Sequence, residues 1–406
     1  MILYLIDNNI VHKKNINLLS KLSRQDFLNK TFCGQFINGN WKETISRDDI
    51  DEKNKFLKKQ IKIWQNFHEN LSCDQFIKIN SFYKKSVTDI ERNNPMSFTI
   101  LIYKNFYQFQ VLMRTLYTRT NYHCIHIDLK ASSDIYKYAL KLSNCLDNIY
   151  LSNQRINISW GTFSLLQAER ICQKILLEKS SKWFYYMTIA GSELPIETNR
   201  NRIEILQLSP DKNRIDVSSI PRQTIFKNLT IYKGEFHTIL TRIFLQAIHN
   251  DSLSIEFWNF LNGSFVPDEY FYSTLVHFEH LPGIKSRINK IYPYYQLLSH
   301  YKSWIHQPFS ECQSEKTIEG VCQFNYKDLF NIEQSKKLFA NKFNQDLDLI
   351  SIFCWEQWIN IKQNDYLHID KKHYLNKFPF TTINSTDNST LSKDFYHMLK
   401  YLYKQN

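Results

Sequence analysis

Four places in this 406-residue chain carry residue types that can do chemistry. Pro267-Asp268-Glu269-Tyr270 sets a proline and two acids where a helix would begin. Proline suits a first helical turn, and the positive end of the helix dipole favours carboxylates there. The geometry of an ordinary cap also holds a carboxylate rigidly enough to act as a general base. Asp128 closes the apolar segment 122–127, a position where nucleotide-binding α/β folds often set a carboxylate on ribose or base, and one that equally suits a turn. Ala190-Gly191-Ser192-Glu193-Leu194-Pro195 follows another apolar segment and reads as a tight loop presenting the Glu193 carboxylate. One acid alone does not support a divalent cation, which takes several oxygen ligands. Lys342 lies among apolar neighbours in Leu338-Phe-Ala-Asn-Lys-Phe343, as a surface lysine or as a cation aimed at a phosphate. No glycine-rich phosphate loop occurs, which disfavours ATP and dinucleotide chemistry.

These positions need elements to hold them. The apolar run 98–103 predicts a buried strand, and 106–117 carries apolar residues at helical spacing. A strand at 122–127, a helix at 134–144, a short strand near 148–151, an amphipathic helix over 162–177 and a strand at 183–189 follow. Strands alternating with helices imply an α/β core with a mainly parallel sheet covered on both faces, its site at the carboxyl ends of the strands. From about 197 the pattern is mostly helical, at 236–248, 254–260 and 268–278. Three regions are expected: a stem-like 1–95 with helices at 51–67 and 73–85, a catalytic domain over 96–355, and a polar tail over 356–406.

Composition excludes some classes. With 29 Phe and 24 Tyr against 8 Gly and 9 Pro, the chain is neither disordered nor collagen-like. The net charge of +12 comes from scattered pairs such as Lys13-Lys14 and Lys336-Lys337 separated by acids. That is a solvated surface rather than a nucleic-acid footprint. No apolar run is long enough to span a membrane, and 1–6 is too short for a signal-peptide core. The eight cysteines show no Cys-x-x-Cys pair and no zinc spacing, so a metal site is not expected. Their even number permits four disulfides or eight free thiols, and spacing alone chooses neither.

Five landmarks occur in order: Tyr122-His-Cys-Ile-His-Ile-Asp128; Ser159-Trp160 with Leu166-Gln-Ala-Glu169; Trp183 through Gly191-Ser-Glu-Leu-Pro-Ile196; Pro267-Asp-Glu-Tyr270; and Leu338-Phe-Ala-Asn-Lys-Phe343. With them and all eight cysteines, the chain from about Cys33 to Cys354 resembles the core 2 / I-branching β-1,6-N-acetylglucosaminyltransferase family. The resemblance implies a GT-A-type α/β fold, a parallel nucleotide-binding sheet flanked by helices and merged with an acceptor-binding half. It implies the disulfides Cys33–Cys354, Cys73–Cys145, Cys124–Cys172 and Cys312–Cys322. The donor would be UDP-N-acetylglucosamine. Glu269 would deprotonate the 6-hydroxyl of GalNAc or galactose in an O-glycosylated glycoprotein, with inversion at the anomeric carbon. No metal or other cofactor is implied; Lys342 would neutralise the departing pyrophosphate, and Asp128 would lie near the uridine.

Departures from the family pattern accompany these matches. Where the family has a second pyrophosphate residue, an arginine, this chain has Glu319. Lys316 is the available substitute, a point charge without the guanidinium fork. On the acceptor side Asp216 matches a sugar-binding glutamate, Lys227 a basic residue after it, and Trp304 part of an aromatic motif; a stretch usual in the family is missing before Tyr232-Lys-Gly234. The resemblance also implies a type II protein of the Golgi membrane facing the lumen, with no nucleic-acid partner. Its N-terminal anchor is absent from this sequence, so a start downstream of the anchor is expected. Two further readings stay open: a xylosyltransferase-like enzyme with another acceptor, and a catalytically inactive protein that binds sugar nucleotide or glycan.

Overall fold

A computed structural model describes residues 22–65, 69–82, 87–210, 212–215, 217–282, 298–304, 311–364 and 368–377. Six helices come first: α1 (Arg24–Lys30), α2 (Phe32–Ile37), α3 (Trp41–Thr44), α4 (Arg47–Gln65), α5 (Cys73–Asn80) and α6 (Asp89–Asn93). Strands and helices then alternate through β1 (Met96–Ile102), α7 (Phe106–Leu116), β2 (Tyr122–Ile127), α8 (Ser133–Cys145), β3 (Ile149–Leu151), α9 (Ser164–Lys179), β4 (Tyr185–Ala190), β5 (Glu193–Pro195) and α10 (Asn199–Leu206). Next come β6 (Val217–Phe226), β7 (Leu229–Gly234), β8 (Ile239–Thr241), α11 (Arg242–Asn250), α12 (Ser252–Phe260) and α13 (Asp268–Leu275). The last are β9 (His300–Tyr301), β10 (Thr317–Ile318), β11 (Val321–Cys322), α14 (Leu329–Gln334), β12 (Phe339–Asn341), α15 (Leu349–Asn364) and α16 (Lys371–Lys377).

All seven residues of β1 are buried, as a central strand covered on both faces must be. The main sheet runs β3-β2-β1-β4-β8; its first four strands are parallel and β8 is antiparallel to β4. This is the expected α/β class. Phe98, Ile100 and Ile102 face a core shared with α7, α8 and α15. Thr99 faces the other way and accepts from Tyr186 Oη at 2.8 Å, toward the second core, which α9 and α11 to α13 cover. The period-two alternation of a strand divides its side chains between the two cores.

The helix expected over 236–248 starts later, at Arg242, because Ile239–Thr241 instead forms the edge strand β8. Pairing with β4 satisfies that segment's backbone, and the Thr241 hydroxyl then accepts from Phe244 N at 3.3 Å and caps α11. The β6–β7 hairpin occupies a stretch that the mostly helical pattern from about 197 leaves as loop between helices.

The two flanking regions join the same body. Phe27 of α1 is fully buried, its ring 5.7 Å from Trp358 of α15. Helix α15 crosses residue 355 and buries Trp355, Trp358 and Lys362; the Lys362 ammonium lies 3.2 Å from Glu197 and 3.3 Å from Glu333. Trp358, Ile359, Ile361 and Lys362 therefore carry the core past residue 355, and 378–406 lie outside the described residues. The four disulfides the resemblance implies are formed: Cys33–Cys354, Cys73–Cys145, Cys124–Cys172 and Cys312–Cys322. Among the described residues no helix is long and apolar enough to cross a membrane.

Candidate active site

A small sheet, β5-β12-β9, collects residues from three distant parts of the chain. β12 pairs antiparallel with β5, with Asn341 opposite Glu193, and parallel with β9, with Phe339 opposite His300. Lys342 therefore leaves β12 beside Glu193, and Lys302 leaves β9 on the neighbouring side. The β10–β11 hairpin, closed by Cys312–Cys322, folds over this edge. Trp304 bridges to Val321, and a Cβ on Gly320 would stand 3.7 Å from the Trp304 ring. Glu319 turns the hairpin with φ 53°, and its carboxylate meets the Lys342 ammonium at 2.5 Å.

The carboxylates come from α13. Pro267 opens its first turn, as the sequence predicts, and accepts from Phe271 N at 3.0 Å. β7 docks along the same helix: Tyr232 N donates to Thr274 Oγ1 at 3.0 Å, and the Tyr232 ring stacks on His277 at 3.6 Å. That docking delivers Lys233, whose ammonium lies 3.0 Å from Glu269 Oε2. Burial raises the Glu269 carboxyl and the Lys233 charge opposes it. Asp268 is more enclosed; burial first, then the Glu269 charge, pushes it up to about 7. Beside them the Lys302 ammonium is buried against Glu235 at 2.6 Å and lies 5.8 Å over the Trp304 ring. Contacts thus run from Lys342 through Glu319, the hairpin and Trp304 to Lys302, whose charge reaches Glu269 through space. At one end is a cation; at the other a half-buried carboxylate that can take a proton.

The remaining predicted residues fall at various distances from this path. Asp128 is buried at the end of β2, and its oxygens are taken by its own surroundings. Oδ1 accepts from Lys130 N at 2.8 Å, and Oδ2 accepts from Ile158 N at 3.0 Å and from Lys130 Nζ at 3.2 Å. Its carboxylate therefore shapes the loop that follows β3. Lys316 is exposed on the disulfide-closed hairpin. Trp304 sits at the centre of the path. Lys227 does not join it: it turns the β6–β7 hairpin and pairs with Glu256 on α12, about 20 Å along β7 from Lys233. Asp216 lies outside the described residues.

A family model described as "Core-2/I-Branching enzyme" matches residues 96–333, more than half of the chain. The chain belongs to the Core-2/I-branching enzyme family. Among curated relatives, the beta-1,3-galactosyl-O-glycosyl-glycoprotein beta-1,6-N-acetylglucosaminyltransferase of Bos taurus is 22% identical, over 78% of this chain and 84% of the relative. The N-acetyllactosaminide beta-1,6-N-acetylglucosaminyl-transferase of Mus musculus is 25% identical, over 76% of this chain and 82% of the relative. An enzyme of Ovis aries, beta-1,3-galactosyl-O-glycosyl-glycoprotein beta-1,6-N-acetylglucosaminyltransferase 3, is 23% identical, over 86% of this chain and 85% of the relative.

Glu193 corrects one expectation about this Core-2/I-branching chain. Its carboxylate is not presented by a loop; it is wholly buried in β5 between two histidines. His237 Nε2 is 2.5 Å from Oε1 and His300 Nε2 is 2.9 Å from Oε2. Burial alone would raise the Glu193 carboxyl, yet the two histidines hold it well below the usual carboxylate range. Burial, with the neighbouring His300, pushes His237 down to about 3, and burial lowers His300 as well. Two neutral rings donating to one carboxylate account for the geometry. Glu193, His237 and His300 form the cluster of metal-capable side chains among the described residues, but it is a poor fit to an ion. Ligand atoms around tetrahedral zinc stand about 3.3 Å apart, and ligating histidines tie down their second nitrogen. Here the donor–acceptor distances are shorter, and both Nδ1 atoms are buried without a hydrogen-bond partner.

Sequence reasoning missed Lys233, Glu235 and Lys302. Two signals were available: Lys233 lies within Tyr232-Lys-Gly234, already singled out, and Lys302 precedes Trp304 by two residues.

Proposed function

We propose that this family member is a β-1,6-N-acetylglucosaminyltransferase that moves GlcNAc from UDP-GlcNAc to the 6-hydroxyl of a GalNAc or galactose residue in an O-glycan. The observation that carries the reading is the half-buried Glu269, 3.0 Å from Lys233 at the start of α13. Burial raises the Glu269 carboxyl and Lys233 works against that rise; once deprotonated it can accept the acceptor proton as the oxygen attacks the anomeric carbon from the face opposite UDP. Lys342, on the far side of the path, would meet the charge that develops on the pyrophosphate, with Lys316 close by on the hairpin. No metal enters this scheme. The proposed setting is the Golgi lumen, supported by four disulfides, which persist in oxidising compartments, and by the relatives named above.

The test uses the purified full chain with UDP-GlcNAc and a Galβ1-3GalNAc-peptide in EDTA. Transfer is expected without added metal, and Glu269→Gln should lower it by about 10²–10⁴-fold while leaving UDP binding in place. Strict manganese dependence would remove the metal-free scheme. The Glu319–Lys342 ion pair favours a second reading, a protein that binds sugar nucleotide without turnover. UDP-GlcNAc binding with no transfer to any O-glycan acceptor would establish it.

A further inference from the structure

Two large aromatic side chains stand exposed beside the catalytic helix where burial would ordinarily claim them. Trp160 is 60% and Phe265 61% exposed, and their rings meet edge to face at 5.4 Å. They belong to separate loops that the backbone locks together: Val266 N donates to Gly161 O at 2.9 Å. Gly161 has φ +72°, and a Cβ there would come within 2.8 Å of the Phe265 ring, so glycine at this place allows the close approach. Val266 holds φ 47°, a costly backbone for a β-branched residue that turns Phe265 outward. The other side of the Trp160 loop is fixed by Ile158 N on Asp128 Oδ2 at 3.0 Å. The pair is an apolar surface facing solvent, held in place by these backbone contacts, of the kind that recognition sites present.

We propose that Trp160 and Phe265 form a stacking platform for a neutral pyranose of the acceptor glycan. The proposal rests on the reading of Glu269 as the general base. A base must face the hydroxyl it deprotonates, so the surface next to Glu269 on the solvent side belongs to the acceptor. Phe265 lies four residues before Glu269, and Glu269 N donates back to Val266 O at 3.1 Å, so platform and base share one turn of backbone. A pyranose offers a face of C–H groups that pack on the electron-rich face of an aromatic ring, and the open position suits a sugar within a longer glycan rather than an enclosed donor.

The experiment compares wild type with Trp160→Ala, Phe265→Ala and the conservative Trp160→Phe, all checked for native melting behaviour. Acceptor KM should rise about tenfold in the alanine variants, exceeding any fall in kcat, with UDP affinity unchanged and Trp160→Phe largely restored. An acceptor KM that stays at the wild-type value, or a donor KM that moves in its place, would overturn the platform. Saturation-transfer NMR with the methyl glycoside of Galβ1-3GalNAc separates this from the catalytic reading. If wild type binds the glycoside without turnover and Trp160→Ala loses that binding, the platform stands and the transferase reading fails. Absent wild-type binding, or binding indifferent to Trp160→Ala, removes the platform even where transfer occurs.

Discussion

Glu269 is pulled in two directions, up by burial and down by the Lys233 ammonium 3.0 Å away. A base works only when deprotonated, so the acid limb of the pH–kcat/KM profile should follow that balance. Lys233→Met removes the charge that lowers the Glu269 carboxyl, and the acid limb should move to higher pH; Lys233→Arg should leave it near wild type. An unmoved limb in the methionine variant would separate Glu269 from the rate-limiting proton transfer. At the other end of the path, Glu319 occupies the Lys342 ammonium that a diphosphate would need. Both side chains are partly exposed, so their pairing stabilises by about 0.5–1 kcal/mol at most. Calorimetry should then show Glu319→Gln binding UDP two- to fivefold more tightly. Weaker binding by that variant would show Glu319 to be a partner of the ligand instead of its competitor.

Helix α9 and strand β4 share a buried polar seam. Thr188 Oγ1 donates to Glu169 Oε1 at 2.5 Å, and Tyr186 Oη lies 3.3 Å from the same oxygen. Burial raises the Glu169 carboxyl to about 7 against these hydrogen bonds. Its ordinary value is 4.5, so the native state binds the proton more tightly than the unfolded chain, and stability falls as pH rises between about 4.5 and 7. Glu169→Gln has no proton to lose, so its melting-temperature advantage over wild type should grow through that window and level off above it. An upper limit is about 3 kcal/mol. A difference that stays flat from pH 4.5 to 8 would rule out Glu169 as the titrating group. The elements around this seam were readable because their signals are local: apolar runs for β1, β2 and β4, a Pro-Asp-Glu start for α13, helical spacing for α9. β8 was not, because three residues, Ile239–Thr241, running straight into α11 leave periodicity nothing to arbitrate. Lys233, Glu235 and Lys302 are ordinary charged residues until β7 docks on α13 and β9 pairs with β12. Glu193 was misplaced for the same reason, since the two histidines that bury it are 44 and 107 residues away in sequence.

At the scale of the whole molecule, all eight cysteines are paired. Alkylation under denaturing, non-reducing conditions should therefore leave the intact mass unchanged, and reduction first should add eight labels. Any label before reduction would contradict the pairing. Cys33–Cys354 joins α2 to α15 across 321 residues, so the double variant Cys33→Ser/Cys354→Ser should lose about 2–5 kcal/mol of unfolding free energy. A loss below that range would mean that core packing alone holds α1 and α2 in place. The same bond gives the chain a topology that sequence order hides. From Cys33 to Cys354 the polypeptide is a covalent ring, with the family-matched stretch 96–333 wholly inside it. Two smaller rings, Cys73–Cys145 and Cys124–Cys172, interlock along it, so residues 124–145 belong to all three. One proteolytic nick in the large ring merely linearises it. The cut molecule keeps its mass, apart from one added water, and its fragments separate only after a reductant opens the ring.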